Sequence, residues 1–146
     1  MVEVTRTFTV STPPEQVHDY LRDFSNAAEW DPGTVSCERI GSGPVEIGTQ
    51  WRNVSKIAGI ETALTYELTT LKPGNLVFTG NNDTATTADD IRIAPGDRPG
   101  TTEIAYHATI EFLGAAKLAA PIAKGVFEKV GVDTERSLTG IFGAID

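Results

Sequence analysis

The chain opens on strict alternation. Val2, Val4, Phe8 and Val10 share one phase while Glu3, Thr5, Thr7 and Thr9 share the other, the period of a strand with one buried face. Arg6 is a charge on the apolar phase. In Thr12-Pro13-Pro14-Glu15, Thr12 can cap a helix, proline suits the first helical position and Glu15 can return a bond to the cap. The predicted helix carries Val17, Tyr20, Leu21 and Phe24 on its apolar face. It decays through Ser25-Asn26 into a turn ending at Trp30-Asp31-Pro32-Gly33.

From Thr34 to Phe112, turn residues punctuate the chain at Gly41-Ser42-Gly43-Pro44, Ala58-Gly59, Lys72-Pro73-Gly74, Asn81-Asn82-Asp83 and Pro95-Gly96-Asp97-Arg98-Pro99-Gly100. The segments between them predict strands near 34–41, 48–57, 60–71, 75–81, 86–94 and 101–112. With the opening strand, Val2 to Val10, these make seven, consecutive and turn-linked, which predicts an antiparallel sheet. Residues 114–145 then read as one long helix, with Leu118, Ile122, Val126, Val130, Leu138, Ile141 and Ile145 in an apolar stripe. Pro121 inside it removes a backbone donor, and Gly125 and Gly131 cost ~1 kcal/mol each relative to alanine. Small residues there, with Ala119 and Ala123, predict either close approach to the sheet or a void.

Alternation turns one face of the sheet toward that helix: Trp51, Asn53 and Ser55; Leu64, Tyr66 and Leu68; Leu76 and Phe78; Ile91 and Ile93; Ile104, Tyr106, Ala108 and Ile110. Most are apolar. The polar minority, Asn53, Ser55, Tyr66, Tyr106 and Asp89, needs partners that a ligand or water could supply.

At 146 residues and 40% hydrophobic composition, the chain fits one domain, 1–146, able to bury a core without disulfide or metal. A net charge of −8, with no basic run, opposes nucleic acid and anionic membrane surfaces. No apolar stretch is long enough to span a bilayer, and a strand-like start instead of a signal peptide predicts a soluble, cytoplasmic protein. One cysteine and two histidines make no metal set, and nothing calls for a cofactor.

Catalytic candidates are sparse. Alternation places His107 on the outer face beside Tyr106, and His18 lies on the first helix between Val17 and Asp19, where a structural role is expected. Asp89-Asp90 cannot pair by adjacency, because strand neighbours point to opposite faces, and a turn-flanking, solubilising role is expected of them. Nothing near Cys37 in sequence would activate a thiolate. Trp30 reads as a packing anchor. Arg6, on the inward phase, would pair with Asp89 or a ligand acid group, unless a bulge or strand end turns it outward.

The order strand, capped helix pair, six strands, long helix is joined by specific residues. These are Thr12-Pro13-Pro14-Glu15-Gln16-Val17, Leu21-x-Asp23, Trp30-x-Pro32-Gly33, Gly43-Pro44-Val45-x-x-Gly48-Thr49, Glu67-Leu68 before Pro73, Gly100-Thr101-Thr102 and the Pro121-containing helix. Together they resemble the polyketide cyclase/dehydrase-like branch of the SRPBCC (START-like, Bet v 1-like) superfamily, nearly end to end. The resemblance implies an α+β helix-grip fold: a curved seven-stranded antiparallel sheet around the C-terminal helix, with two short helices after the first strand. It also implies an elongated cavity opening near the glycine-rich turns, with Gly41-Ser42-Gly43-Pro44 as a hairpin beside its mouth. The cavity candidates are Arg6, Trp51, Asn53, Tyr66, Phe78, Asp89, Ile91, Tyr106, Ile122 and Val126.

Three readings follow. The first is a binder of a small hydrophobic molecule, lipid-like or polyketide-like. The second is a polyketide cyclase/dehydrase-like enzyme using Tyr66, Tyr106, Asn53 or Arg6, against which stands the lack of a cavity-facing histidine. The third is a protein-interaction domain with a filled cavity, which leaves a protein partner and the oligomeric state open.

Overall fold

The computed structural model describes residues 1–57 and 59–145, with the backbone alone of Ile57; Ala58, in an expected turn, lies outside them. Among the described residues, β1 (Val2–Val10) is followed by helix α1 (Pro14–Leu21), a 3-10 turn (Phe24–Asn26) and helix α2 (Ala27–Trp30). Six strands come next: β2 (Thr34–Ile40), β3 (Gln50–Ile57), β4 (Ile60–Lys72), β5 (Asn75–Asn81), β6 (Ala85–Pro95) and β7 (Thr102–Phe112). A 3-10 turn (Gly114–Ala119) leads into α3 (Ala120–Phe142).

The strands form one antiparallel sheet in the order β1-β7-β6-β5-β4-β3-β2. β2 to β7 pair as sequential hairpins, while β1 closes the far edge on β7, from Val2 opposite Ile110 to Val10 opposite Thr102. The register of β4 on β5 shifts between Leu68 and Thr70, a bulge of the kind that bends a strand. The sheet grips α3 on its concave face. Side chains that alternation turned inward are buried there, from Trp51 on β3 to Ile104 on β7.

Two features of the helices differ from expectation. Thr12 does not cap α1, whose N-cap is Pro13 with Pro14 at the first helical position. Its hydroxyl instead donates to the carbonyl of Phe142 at the far end of the chain. Nor does the last helix run unbroken over 114–145. The first turn is 3-10, which places Pro121 at the start of α3, where its missing N–H costs no helical bond. The helix stops at Phe142 because Gly143 takes a positive φ of 95°; its carbonyl accepts from Ser11 N–H at 2.8 Å.

The expected apolar stripe is also displaced around the helix. Ala123, Gly131, Thr134, Leu138 and Phe142 are the buried residues of α3, while Leu118 and Ile122 are 85% and 67% exposed. The stripe followed the largest side chains, but the face turned to the sheet begins with the small ones Ala123, Gly131 and Thr134, and of the expected stripe Leu138 is buried on it. Gly131 is the closest point: a Cβ there would lie 2.4 Å from Val4 Cγ2. Gly125 faces open space, and a Cβ there would have nothing within 4 Å.

These two glycines therefore answer oppositely to alanine. Gly125→Ala should stabilise by ~1 kcal/mol through helix propensity. Gly131→Ala should destabilise by ~1–3 kcal/mol, since the overpacking against Val4 outweighs the same propensity gain. Urea unfolding of both variants checks this; equal shifts would show that α3 and β1 are not closely packed at Gly131.

Candidate functional site

Two sets of elements cover the concave face. Phe24, from the 3-10 turn after α1, plugs one end: its ring stacks on Phe78 at 4.4 Å and meets Trp51 at 6.0 Å and Tyr66 at 4.7 Å. α3 covers the other end. Between the plug and the first half of α3 lies a pocket of about 560 Å³. It exists because Ala116, Ala119 and Ala123 face it from the helical side and do not reach Leu64, Ala85 and Ile110 on the sheet. Exposed Ile60, Glu61, Thr84 and Ile122 stand at its mouth. The opening thus lies between the β3–β4 and β5–β6 turns and the start of α3. Gly41 to Pro44 do not line it; their hairpin is tied by Arg39, whose guanidinium donates to the Gly43 carbonyl at 3.1 Å.

The pocket is apolar except at its inner end, where Asp31, Ser55, Tyr66, Thr87, Asp89 and Tyr106 gather. Asp89 is 5% exposed and makes no hydrogen bond among the described residues. Burial, aided by the nearby charge of Asp31, raises its pKa well above the usual carboxylate range. Burial likewise raises Tyr66 and Tyr106, with the charge of Asp89 adding to it, so both keep their protons. Asp31, in the turn after α2, is pulled both ways. Burial raises its pKa, while the Gly33 N–H at 2.9 Å and the Thr34 hydroxyl at 3.0 Å stabilise its ionised form; the net shift is upward.

Two supports fix this polar end. On one side, the Ser55 hydroxyl at the pocket wall donates to Asn53 Oδ1, Asn53 Nδ2 to Thr34 Oγ1 at 3.0 Å, and Thr34 to Asp31. Across it, Tyr66, Gly80 and Thr87 stand in register on β4, β5 and β6. A Cβ at Gly80 would sit 2.8 Å from the Tyr66 ring and 2.6 Å from Thr87 Oγ1. Glycine leaves the space over which Tyr66 and Thr87 meet in a 2.9 Å hydrogen bond.

Of the cavity candidates, Tyr66, Asp89, Tyr106 and Ile122 line the pocket. The other six do not. Trp51 and Phe78 are locked in the aromatic plug, and Trp51 Nε1 donates to Asp23 at 3.3 Å. Asn53 lies one layer behind, and Ile91 is fully buried in the core opposite Leu76 and Tyr106. Val126 is half-buried on α3, beside the lining residues Phe127 and Val130 rather than among them. Arg6 keeps its helix-facing phase but pairs with Glu135 of α3 at 2.8 Å, half-exposed at the sheet edge, and not with Asp89.

Both histidines and the cysteine are outside the pocket. His107 meets Glu3 at 3.0 Å on the outer face, and His18 meets the Lys72 carbonyl at 2.9 Å. Burial pushes the Cys37 thiol up to about 12, which leaves it inert as a nucleophile. Asp89, expected to flank a turn, sits in mid-strand; its shared phase with Ile91 and Ile93 was the signal for burial. Asp31 and Gly80 were missed as site residues, since only the fold brings them to it.

A family model described as polyketide cyclase / dehydrase and lipid transport matches residues 1–138. No curated protein matches the chain in sequence. Among solved structures, a START superfamily protein from Mycobacterium smegmatis superposes with a TM-score of 0.78 at 16% identity, covering 96% of each chain. The ZhuI aromatase/cyclase from Streptomyces sp. R1128 gives 0.78 at 18% identity, over 95% of this chain and 92% of that one. The ginseng (Panax ginseng) major latex-like protein 151 gives 0.69 at 8% identity, over 96% of each. At such identities the likeness is one of fold, the helix-grip arrangement. No helix among the described residues is long and apolar enough to cross a membrane.

The buried carboxyl carries a pH signature. A carboxyl whose folded pKa exceeds its unfolded value, ~3.9, binds more protons when folded, so its contribution to stability declines as pH rises from there to the raised folded pKa. Asp89→Asn removes that penalty. It should raise stability at pH 7 by on the order of 1–3 kcal/mol, the gain shrinking toward zero near pH 4. Thermal melts of both proteins from pH 4 to 8 measure this, and a pH-independent difference would contradict the burial of an ionisable Asp89.

Proposed function

The chain belongs to the polyketide cyclase / dehydrase and lipid transport family, and from that premise we propose that it binds a small, largely hydrophobic molecule, lipid-like or polyketide-like, between the sheet and α3. The observation that carries this reading is the pocket itself, about 560 Å³ of mostly apolar space with unpartnered polar groups at one end. That volume lies within the ~300–1,000 Å³ of small-molecule sites, and the combination of apolar walls with a few convergent polar groups is their usual chemistry. A space of this size left open by the chain's own side chains argues against the filled-cavity interaction domain. An apolar body would occupy the region of Leu64, Ala85, Ile110 and Phe127, with a polar end toward Tyr106 and Asp89.

One observation favours a second reading, a cyclase/dehydrase-like enzyme: Tyr66, Tyr106 and Asp89 stand together beside a space that a carbonyl could enter, and burial favours the protonated form of each. A proton positioned on a carbonyl oxygen supplies general acid catalysis. Asn53 and Arg6 are not available for that role, since neither reaches the pocket.

Binding is tested with N-phenyl-1-naphthylamine, a neutral fluorophore that brightens in apolar surroundings. The protein should bind it, and Ala123→Phe, which fills the pocket from α3, should weaken binding at least ~10-fold, or ~1.4 kcal/mol, while circular dichroism stays unchanged. A folded Ala123→Phe protein that binds as tightly as the parent would place the ligand elsewhere. The enzyme reading predicts turnover of linear poly-β-ketones, with kcat lowered ~100-fold or more by Tyr106→Phe and fluorophore binding retained. Absence of turnover across a panel of such substrates would remove it.

A further inference from the structure

Charge in the pocket is one-sided. Three carboxyl groups line it, Asp31 and Asp89 at the inner end and Glu61 at the mouth, and among the described residues no lysine, arginine or histidine does. The acids are also not paired from behind. Arg6, the cation expected to reach Asp89, is engaged with Glu135 on α3. α3 itself turns Ala123, Phe127 and Val130 toward the space, none of which carries charge.

Asp89 is the decisive group. Its side chain is nineteen-twentieths buried, faces the pocket and has no hydrogen-bond partner among the described residues. A buried carboxylate without a partner is costly, and burial raises the pKa of Asp89, which favours the protonated form. A bound carboxylate, such as a fatty acid headgroup, would add a further negative charge among these acids with no cation to receive it. A bound ammonium would do the reverse: it supplies the missing partner, lets Asp89 ionise and forms a charge-assisted hydrogen bond in a site shielded from water. Tyr66 and Tyr106 line the same end, and tyrosine rings attract cations through their quadrupole. Glu61 at the mouth and the net charge of −8 draw cations toward the opening.

We propose that the ligand of this pocket is a hydrophobic amine, whose protonated nitrogen docks between Asp89 and Asp31 while its apolar body lies under α3. The inference rests on the pocket-binding reading above and specifies the charge of what is bound. It assigns Asp89 the role of selecting that charge, with Asp31, held by Gly33 and Thr34, as the second carboxyl.

Three ligands of equal chain length separate the outcomes: decylamine, decanol and decanoate, each used below its micellar concentration to displace N-phenyl-1-naphthylamine at pH 7. Decylamine should displace the fluorophore at a concentration at least tenfold below decanol, and decanoate should be the weakest. In Asp89→Asn the advantage of the amine over the alcohol should fall to less than threefold. Equal displacement by amine and alcohol would overturn the proposal in favour of a neutral ligand, leaving pocket binding intact. Tightest displacement by decanoate would overturn it in favour of an anionic one. An amine advantage that survives Asp89→Asn would refute the role of Asp89. Failure of the fluorophore to bind, or of all three ligands to displace it, would instead bring down the pocket-binding reading and this inference with it.

Discussion

The approach of Gly131 to Val4 sets the distance between helix and sheet, and the rest of the structure accommodates it. With no side chain between them, α3 comes down onto β1 until a methyl group would no longer fit. Arg6 with Glu135 and Thr12 with Phe142 hold the same half of the helix from either side. The other half extends from that anchorage over the sheet, and where Ala123 and, from the 3-10 turn before it, Ala116 and Ala119 face the sheet, spacing fixed at one end leaves space unfilled at the other. Interiors are normally close-packed, and apolar groups facing a void forgo their dispersion contacts. The pocket is thus a local cost sustained by a well-packed opposite end.

Support for the polar end comes from a hydrogen-bond chain that starts at Ser55 on the pocket wall and runs behind it to Asp31. Ser55, Asn53 and Thr34 pass hydrogen bonds along to Asp31, which fixes one carboxyl of the site through residues on two strands. Tyr66 is fixed differently, by an absence, because Gly80 leaves it room to reach Thr87. Among the described residues the carboxyl of Asp89 and the hydroxyl of Tyr106 are left without a hydrogen bond. Ordered neighbours around unsatisfied groups are what a preorganised recognition site requires, since the ligand then meets partners already in position.

Most of the sheet was legible because alternation reports which face a side chain takes, and strand after strand obeyed it from Val2 to Ile110. What alternation does not report is which element covers a given stretch of that face. Trp51 and Phe78 point inward as expected, yet Phe24, arriving from a turn, removes them from the pocket. The same limit applies to Arg6, whose phase was read correctly and whose partner on α3 was not. On the helix, weighting large apolar residues misplaced the buried stripe, because close packing selected Gly131 and Ala123. Asp31 and Gly80 enter the site only through register and tertiary folding, which spacing along the chain does not encode.

One further consequence lies in the strand order. β1 precedes every other strand, yet among the described residues its one neighbour in the sheet is β7, about a hundred residues further along, and its end is tied to the turn after α3 by the Val10–Ala144 bridge. The hairpins from β2 to β7 can assemble from near neighbours, but β1 must be held in reserve until β7 has been made. Closure of a loop that long makes for slow final assembly. Until then Val2, Val4 and Val10 are part of an unpaired edge, the kind of segment on which chains associate with one another. The glutamate and threonines that alternate with them keep the other face of that waiting strand compatible with water.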